Sequence, residues 1–146
     1  MKLTWSTLAA VALILTGCSS FNREWRAAGR EPVPTEGIGG RWIGTWQNTN
    51  NTHRDTMRAV LKEAGNGRYQ AHFHARYKRI FSFAYTVELA GQHEADRFRF
   101  HGESDLGKMA GGVYQYNGWA SATNFYSTYD SKYDVGTFTL HRPVRH

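Results

Sequence analysis

The chain has 146 residues, of which 40% are hydrophobic and 14% aromatic, and its formal net charge is +6. This length allows one domain at most, and the single cysteine excludes any disulfide within the chain. The positive charge favours a surface close to anionic lipid or an acidic polymer without identifying either.

The first element in chain order is an apolar run from Leu3 to Leu15 that follows Lys2. The run is too short to span a bilayer and ends in small residues, which is typical of a signal peptide. It leads into Leu15-Thr16-Gly17-Cys18, and Cys18 is the only cysteine present. This arrangement resembles the signal peptide and lipobox of bacterial lipoproteins.

The resemblance implies that residues 1–17 are a signal peptide, which is removed, and that Cys18 carries acyl chains. Several acyl chains at one terminus hold a protein on a membrane far more firmly than one chain does. We therefore expect a protein that is anchored in the bacterial cell envelope and does not span the bilayer. Since Ser19 and not Asp follows Cys18, the sorting rule of Gram-negative lipoproteins implies the outer membrane, with the domain facing the periplasm. An ordinary secretory signal with a free thiol is the alternative.

Residues 18–40 are predicted to be the acylated cysteine and a flexible linker. The segment is serine-rich at first and then contains Pro32, Pro34 and three glycines between positions 37 and 40. This composition favours a disordered tether. A short helix from Phe21 to Arg30, lying on the membrane or on the domain through Phe21 and Trp25, is the alternative.

Apolar and polar residues alternate with a period of two through most of residues 41–142, which contain no proline. Such alternation predicts strands with one buried face and one wet face. Asn66-Gly67 and Asn117-Gly118 are dipeptides typical of tight hairpins. Short connections imply antiparallel pairing in chain order. We predict eight strands, at residues 41–47, 55–64, 67–77, 80–89, 96–102, 112–117, 119–129 and 134–141.

Eight such strands close most simply into a barrel, because closure removes the exposed strand edges. We therefore predict an all-β fold at residues 41–146, an antiparallel up-and-down meander that forms a small barrel. Gly44-Thr45-Trp46 resembles the Gly-x-Trp motif on the first strand of lipocalins. In that family an arginine near the end of the barrel covers the tryptophan. The resemblance implies barrel closure by Gly44, Trp46 and Arg142, although Arg142 could cover Trp42 instead.

The inward positions of the predicted barrel are crowded with aromatic residues. The lipocalin-like architecture implies a pocket for a small lipophilic or glycan ligand, with tyrosine hydroxyls as the polar groups. A filled core is the alternative, because an eight-stranded barrel is barely wide enough for its own side chains. The candidate pocket residues are Trp42, Trp46, Tyr69, Phe83, Tyr85, Tyr114 and Tyr116.

The outward positions of two predicted strands carry a basic stripe. Together these side chains could form a cationic face for the phosphates of lipid or lipopolysaccharide. Ordinary solubilising charge is the alternative. The members of this predicted cationic face are Arg68, His72, His74, Arg76, Arg97 and Arg99.

No catalytic set is evident in the sequence. Residues 102–108 have P-loop spacing, but Met109 stands where a serine or threonine should hold magnesium. His72 and His74 share a strand face, yet a third metal ligand, His101, lies two strands away. We therefore predict a non-enzymatic protein with no cofactor and no metal. The expected location in the cell envelope predicts no nucleic-acid partner. A rival class is a structural or interaction lipoprotein whose solid barrel contacts envelope polymers, anionic lipid or a protein partner, and a small envelope hydrolase is a third.

Overall fold

The computed structural model describes residues 20–144 of the chain. Eight strands form a closed antiparallel barrel in which neighbours in sequence pair with each other and the last strand pairs with the first. The predicted all-β up-and-down meander is therefore confirmed. The strands are β1 (Gly40–Asn48), β2 (Arg54–Gly65), β3 (Arg68–Tyr77), β4 (Phe81–Glu94), β5 (Arg97–Asp105), β6 (Val113–Ala120), β7 (Asn124–Asp130) and β8 (Val135–His141).

The period-two pattern determines which side chains fill the barrel. In β3, for example, Tyr69, Ala71 and Phe73 are buried, whereas Arg68 and Gln70 between them are exposed. The same alternation in the other strands gives a continuous apolar interior. Its largest fully buried members include Trp42, Phe73, Phe98, Phe125 and Leu140.

The barrel has one end that is sealed, where the chain enters β1. Ile38 is buried there, the Trp42 indole N–H donates to the Ile38 carbonyl at 3.0 Å, and the Ile38 amide donates to the Tyr69 hydroxyl at 3.4 Å. The opposite end is surrounded by the loops at residues 49–53, 78–80, 106–112 and 131–134. We refer to these as the closed end and the open end.

Arg142 completes the closed end. Its guanidinium carbon lies 4.0 Å from the ring centroid of Trp42, and Nη1 donates to the carbonyls of Gly39 at 2.6 Å and Arg41 at 3.2 Å. Burial lowers the pKa of Arg142 to about 10. The prediction that Trp46 takes part in this closure is wrong, because Trp46 lies toward the opposite end of β1.

β1 contains the Gly-x-Trp spacing twice, at residues 40–42 and at residues 44–46. Arg142 covers the tryptophan of the first triplet, so the second triplet has a different role. Gly44 lies at the seam opposite Leu140, where a Cβ atom would come within 2.1 Å of the Thr139 carbonyl oxygen. The missing side chain lets β1 and β8 approach closely enough to join the two edges of the sheet.

A helix covers part of the barrel wall, where the sequence favours a linker. Residues 20–30 are helical (α1), and Phe21 is fully buried with its ring centroid 5.1 Å from that of His74. The Arg58 guanidinium lies 5.1 Å from the rings of both Phe21 and Trp25. The prediction of a flexible linker is therefore wrong for this stretch, and the alternative of a short helix that packs on the domain through Phe21 and Trp25 is correct. Phe21, Trp25 and the half-buried Ala28 recur at helical spacing and give α1 one face to bury.

One of the two predicted tight hairpins is present. Asn66 and Gly67 both have positive φ, 54° and 69°, as a two-residue hairpin turn of this type requires. Asn117-Gly118 instead lies inside β6, and the chain turns at residues 121–123. A Cβ at Gly118 would come within 2.1 Å of the Tyr126 carbonyl oxygen, so this glycine serves a close approach of β6 and β7 and not a turn.

The predicted signal peptide, the lipobox and Cys18 lie outside the described residues. Within residues 20–144, no helix is both long and apolar enough to cross a membrane.

Candidate functional site

The open end of the barrel contains a cavity of about 540 Å³. The other half of the interior is filled, because the Phe125 ring contacts Trp42, Phe73 and Phe100 at centroid distances of 5.7, 6.4 and 5.1 Å. A cavity of this size lies in the range of small-molecule sites, which is about 300–1,000 Å³. The interior is thus solid toward the closed end and hollow toward the open end.

Most of the predicted pocket residues meet at this cavity. The structure brings together Trp46, Phe83, Tyr85, Tyr114 and Tyr116 around it. The prediction is wrong for the other two, Trp42 and Tyr69. Both have the inward orientation that alternation predicts, but they lie at the closed end, where Arg142 and Ile38 cover them.

Four of the lining rings form a continuous row. Phe83 stacks on Tyr85 at 5.7 Å between centroids, Tyr85 on Tyr116 at 6.5 Å, and Tyr116 on Tyr114 at 6.3 Å. Because β4 and β6 contribute alternating inward residues on either side of β5, their rings face the same void. The row offers a ligand a large apolar surface with hydroxyl groups along it.

A small polar cluster lies at one side of the cavity around Asp134. Its Oδ1 accepts a hydrogen bond from the Asn48 side-chain amide, and its Oδ2 accepts one from the Tyr114 hydroxyl at 3.4 Å. Burial raises the pKa of Asp134 although these hydrogen bonds oppose the shift. The loop that carries Asp134 is tied to β1 by this cluster, which fixes the edge of the cavity.

Two polar atoms of the lining residues are buried and have no hydrogen-bond partner among the described residues. They are the hydroxyl of Tyr129 and Nε2 of His53. The imidazole of His53 is held by ring contacts, 5.4 Å from Trp46 and 4.8 Å from Tyr77. Unpaired buried polar groups are rare and costly in folded proteins. Both residues line the cavity, so these two groups lie in its wall.

The tyrosine hydroxyls at the cavity are neutral at physiological pH. Burial raises the pKa of Tyr116 to about 12 and raises the pKa of Tyr85 well above its usual value. Burial also raises the pKa of Tyr129, and the charge of Asp134 adds to that shift. Each of these hydroxyls is therefore a potential hydrogen-bond donor, and those of Tyr85 and Tyr116 already hydrogen-bond each other.

Sequence reasoning missed several of the lining residues. Tyr129 has the inward parity of Phe125 on the same strand, so the alternation of β7 was sufficient to identify it. His53 lies in a loop, where no periodic pattern indicates which way a side chain points. The role of Asp134 at the cavity depends on contacts with Asn48 and Tyr114, which lie far from it in sequence.

The predicted cationic face is wrong at both of its histidines. His74 is buried and His72 is partly buried, because α1 lies over them. The Glu24 carboxylate is 3.1 Å from Nδ1 of His72, and the Phe21 ring lies on His74. Burial lowers the pKa of His74, and the nearby charges of Arg58 and other basic groups add to this shift.

The four arginines of that predicted face do point outward, and each of them has a local contact. Arg68 pairs with Glu88 at 3.2 Å, and Arg99 pairs with Glu94 at 2.9 Å. The Arg97 guanidinium lies 4.1 Å from the Trp119 ring centroid. Arg76 donates to a backbone carbonyl in the next turn. Carboxylates thus pair with Arg68 and Arg99 of this stripe, whereas Arg76 and Arg97 keep their charge without an acidic partner in these contacts.

The chain matches no known family model, and no curated protein or solved structure is significantly similar to it. Among residues 20–144, no three histidine, cysteine, aspartate or glutamate side chains come together as metal ligands. The geometry of the open end is therefore the basis on which a function can be argued.

Proposed function

We propose that this protein is a non-enzymatic binding protein that holds a small lipophilic or glycan ligand in the open end of its barrel. The observation that carries the proposal is the cavity of about 540 Å³, which is lined by aromatic rings and by neutral tyrosine hydroxyls. A mostly apolar molecule with one or two oxygen acceptors matches both features of the site.

Different lining residues would provide the affinity for the ligand and fix its orientation. The stacked row from Phe83 to Tyr114 removes apolar ligand surface from water, which supplies most of the affinity. The neutral Tyr129 hydroxyl donates to a ligand oxygen and thereby sets the orientation of the ligand.

The proposal extends to the location of the protein. We propose that Cys18 is acylated after removal of residues 1–17 and that the domain is anchored at the outer membrane, facing the periplasm. The lipobox supports this, and the eight-stranded meander with Arg142 over Trp42 supports a lipocalin-like fold.

Replacement of the proposed lipid acceptor tests the location. Cys18→Ala removes the thiol, so we expect loss of metabolic labelling with radioactive fatty acid and retention of the longer unprocessed form. Both are read from gels of fractionated cells. A variant that is still labelled and processed like the wild type would contradict the anchor.

Ligand titration tests the binding function. We expect a fluorescent fatty-acid analogue, an oligosaccharide or both to change the tryptophan emission, because Trp46 lines the cavity. Tyr129→Phe removes the donor and should weaken binding about 2-fold to 10-fold, the value of one hydrogen bond. Tyr126→Phe on the outer face of the same strand is the matched control. A protein that responds to neither class of ligand would contradict the proposal.

The filled closed half of the barrel favours a second candidate function. A solid core with an engaged outer surface suits a structural or interaction lipoprotein that contacts an envelope polymer or a protein partner. This function predicts the same membrane anchor but no response of Trp46 to ligands, so the titration separates the two.

A further inference from the structure

The loops around the open end expose apolar side chains to an unusual degree. Ile80 is 82% exposed, Tyr133 is 73% exposed and Met109 is fully exposed. Within residues 20–144, every aromatic side chain that is largely exposed lies at this end of the barrel. We define the mouth rim as the six side chains Tyr77, Ile80, Phe81, Phe83, Met109 and Tyr133.

Basic residues accompany the apolar tips of three of the four loops. Lys78 and Arg79 precede Ile80, Lys108 precedes Met109, and Lys132 precedes Tyr133. The ammonium groups of Lys78 and Lys132 each lie 5.4 Å from the ring centroid of the adjacent tyrosine. Each of these three loops thus places a cationic side chain directly beside an exposed apolar one.

Three of the acidic residues at the open end are engaged below the tips, and a fourth, Asp130, lies exposed at the end of β7. Asp55 accepts from the Arg79 amide at 2.9 Å, Asp105 accepts from the Gly107 amide at 2.9 Å, and Asp134 belongs to the buried cluster described above. The tips at residues 78–80, 108–110 and 132–133 contain no acidic residue. The charge of the loop tips themselves is therefore positive.

Hydrogen bonds hold the β3–β4 loop in an unfavourable backbone conformation. Lys78 and Arg79 have φ of 52° and 61°, a left-handed conformation that is unfavourable for residues other than glycine. The loop keeps this conformation through the hydrogen bond to Asp55 and through the Arg76 guanidinium, which donates to the Arg79 carbonyl at 2.5 Å. These contacts hold Ile80 in water at the top of the loop.

We propose that the mouth rim docks on an anionic lipid bilayer, with the apolar tips in the interface and the lysines and Arg79 at the phosphates. Apolar residues flanked by cations are the chemistry with which proteins bind membrane interfaces. A bilayer fits this ring of loops better than a protein groove does, because the tips stand around an open cavity and present no continuous surface.

The direction of α1 agrees with this orientation. Its first residues contact His74, whereas Gly29 near its other end lies beside Arg41 at the closed end. Tyr77 is three residues beyond His74, about 10 Å along the strand. Cys18 precedes residue 20 by two positions, at most about 7 Å of extended chain. If Cys18 is acylated, as the proposed function holds, its lipid and the mouth rim can reach the same bilayer.

The docking proposal otherwise goes beyond ligand binding, and its experiment needs neither the acyl group nor a ligand. The protein is the chain from position 18 with Cys18→Ser, which keeps every described element. It is mixed with vesicles of phosphatidylcholine alone or with 30% phosphatidylglycerol and sedimented. We expect binding to the anionic vesicles at low salt, with weaker binding to neutral vesicles and at high salt.

Two matched double variants locate the contact. Ile80→Ser with Met109→Ser removes two rim tips and should weaken binding about tenfold or more, since each tip buries a large apolar side chain. Val33→Ser with Val144→Ser removes two exposed apolar side chains away from the open end and should leave binding unchanged. Thermal melts of both variants check that the barrel is intact.

Several outcomes would overturn the docking proposal. They are a wild-type protein that ignores anionic vesicles at low salt, a rim variant that binds as well as the wild type, and a Val33/Val144 variant that loses as much. Capture of a protein partner by a rim that does not bind vesicles would also overturn it. Tyr129→Phe should dock normally, so a protein that docks but takes up no ligand refutes the proposed function and leaves the docking proposal standing.

Discussion

Phe73 and Phe83 show how much the burial of two side chains on the same inward face of the barrel can differ. Both point inward by alternation, yet Phe73 is 1% exposed and Phe83 is 40% exposed. Phe73 packs in the filled half, whereas Phe83 lies at the mouth of the cavity. Alternation predicts the side of the sheet and contains no information on the distance from the open end.

We therefore expect different stability losses at these two positions. Phe73→Ala should lower the free energy of unfolding by about 3–5 kcal/mol, as for a fully buried ring. Phe83→Ala should cost much less and should instead weaken ligand binding. Thr86→Ala, on the outer face of β4, is the control for both. Urea denaturation measures the losses, and equal losses for the two phenylalanines would contradict the half-filled interior.

His74 predicts a pH dependence of stability. Its pKa is lowered from the usual value of 6.5, mainly by burial under α1, so below that pH the unfolded state binds more protons than the folded state. Stability therefore falls as the pH drops below about 6.5 toward the lowered value. We expect the melting temperature to fall between pH 7 and pH 5, and to fall less in His74→Phe.

An exposed histidine supplies the comparison for this prediction. His101 lies on the outer face of β5, so His101→Gln should keep the wild-type pH profile. A His74→Phe variant whose melting temperature falls as steeply as that of the wild type would refute the assignment to His74.

Among the elements, α1 is the one that sequence patterns predict least well, because they do not indicate that it packs on the barrel. Its polar and charged residues resemble those of a linker, and its helical signal consists of few apolar positions. The contacts that hold it come from outward-facing side chains of β2 and β3, namely Arg58, His72 and His74. Their role could not be read from alternation, which assigns such positions to solvent.

Removal of the buried ring of α1 tests its contribution. Phe21→Ala should lower the free energy of unfolding by about 3–5 kcal/mol if α1 and the barrel unfold together. Arg26→Ala on the exposed side of the helix should have little effect. Hydrogen exchange would then show faster exchange in residues 20–30. A Phe21→Ala variant as stable as Arg26→Ala would mean that α1 does not stabilise the barrel.

The strands themselves were predictable because a half-buried sheet imposes its period on the sequence. Asn66-Gly67 was identified correctly for the same local reason, since the turn needs positive φ at both positions. Asn117-Gly118 has the same letters but lies within β6, where close approach to β7 requires the glycine. A dipeptide cannot distinguish these two uses, and only the pairing of whole strands separates them.

For the molecule as a whole, the two ends of the barrel have opposite properties. The closed end buries Trp42 under Arg142, and the open end surrounds a cavity with aromatic rings and cationic loops. The sequence predicts the barrel and a crowd of inward aromatic residues. It does not predict that the filling stops halfway, because this depends on strand tilt and on which rings stack across the interior.

The central claim is that the open half of the barrel binds a ligand while the closed half does not. Methyl NMR tests it most directly, because Met57 and Ala75 line the cavity, whereas Ala59 and Leu140 are buried elsewhere in the core. Titration with the tightest fatty-acid or glycan ligand should shift the Met57 and Ala75 signals and leave those of Ala59 and Leu140 in place. Shifts confined to outward-facing methyl groups, or no shifts at saturating ligand, would contradict the account.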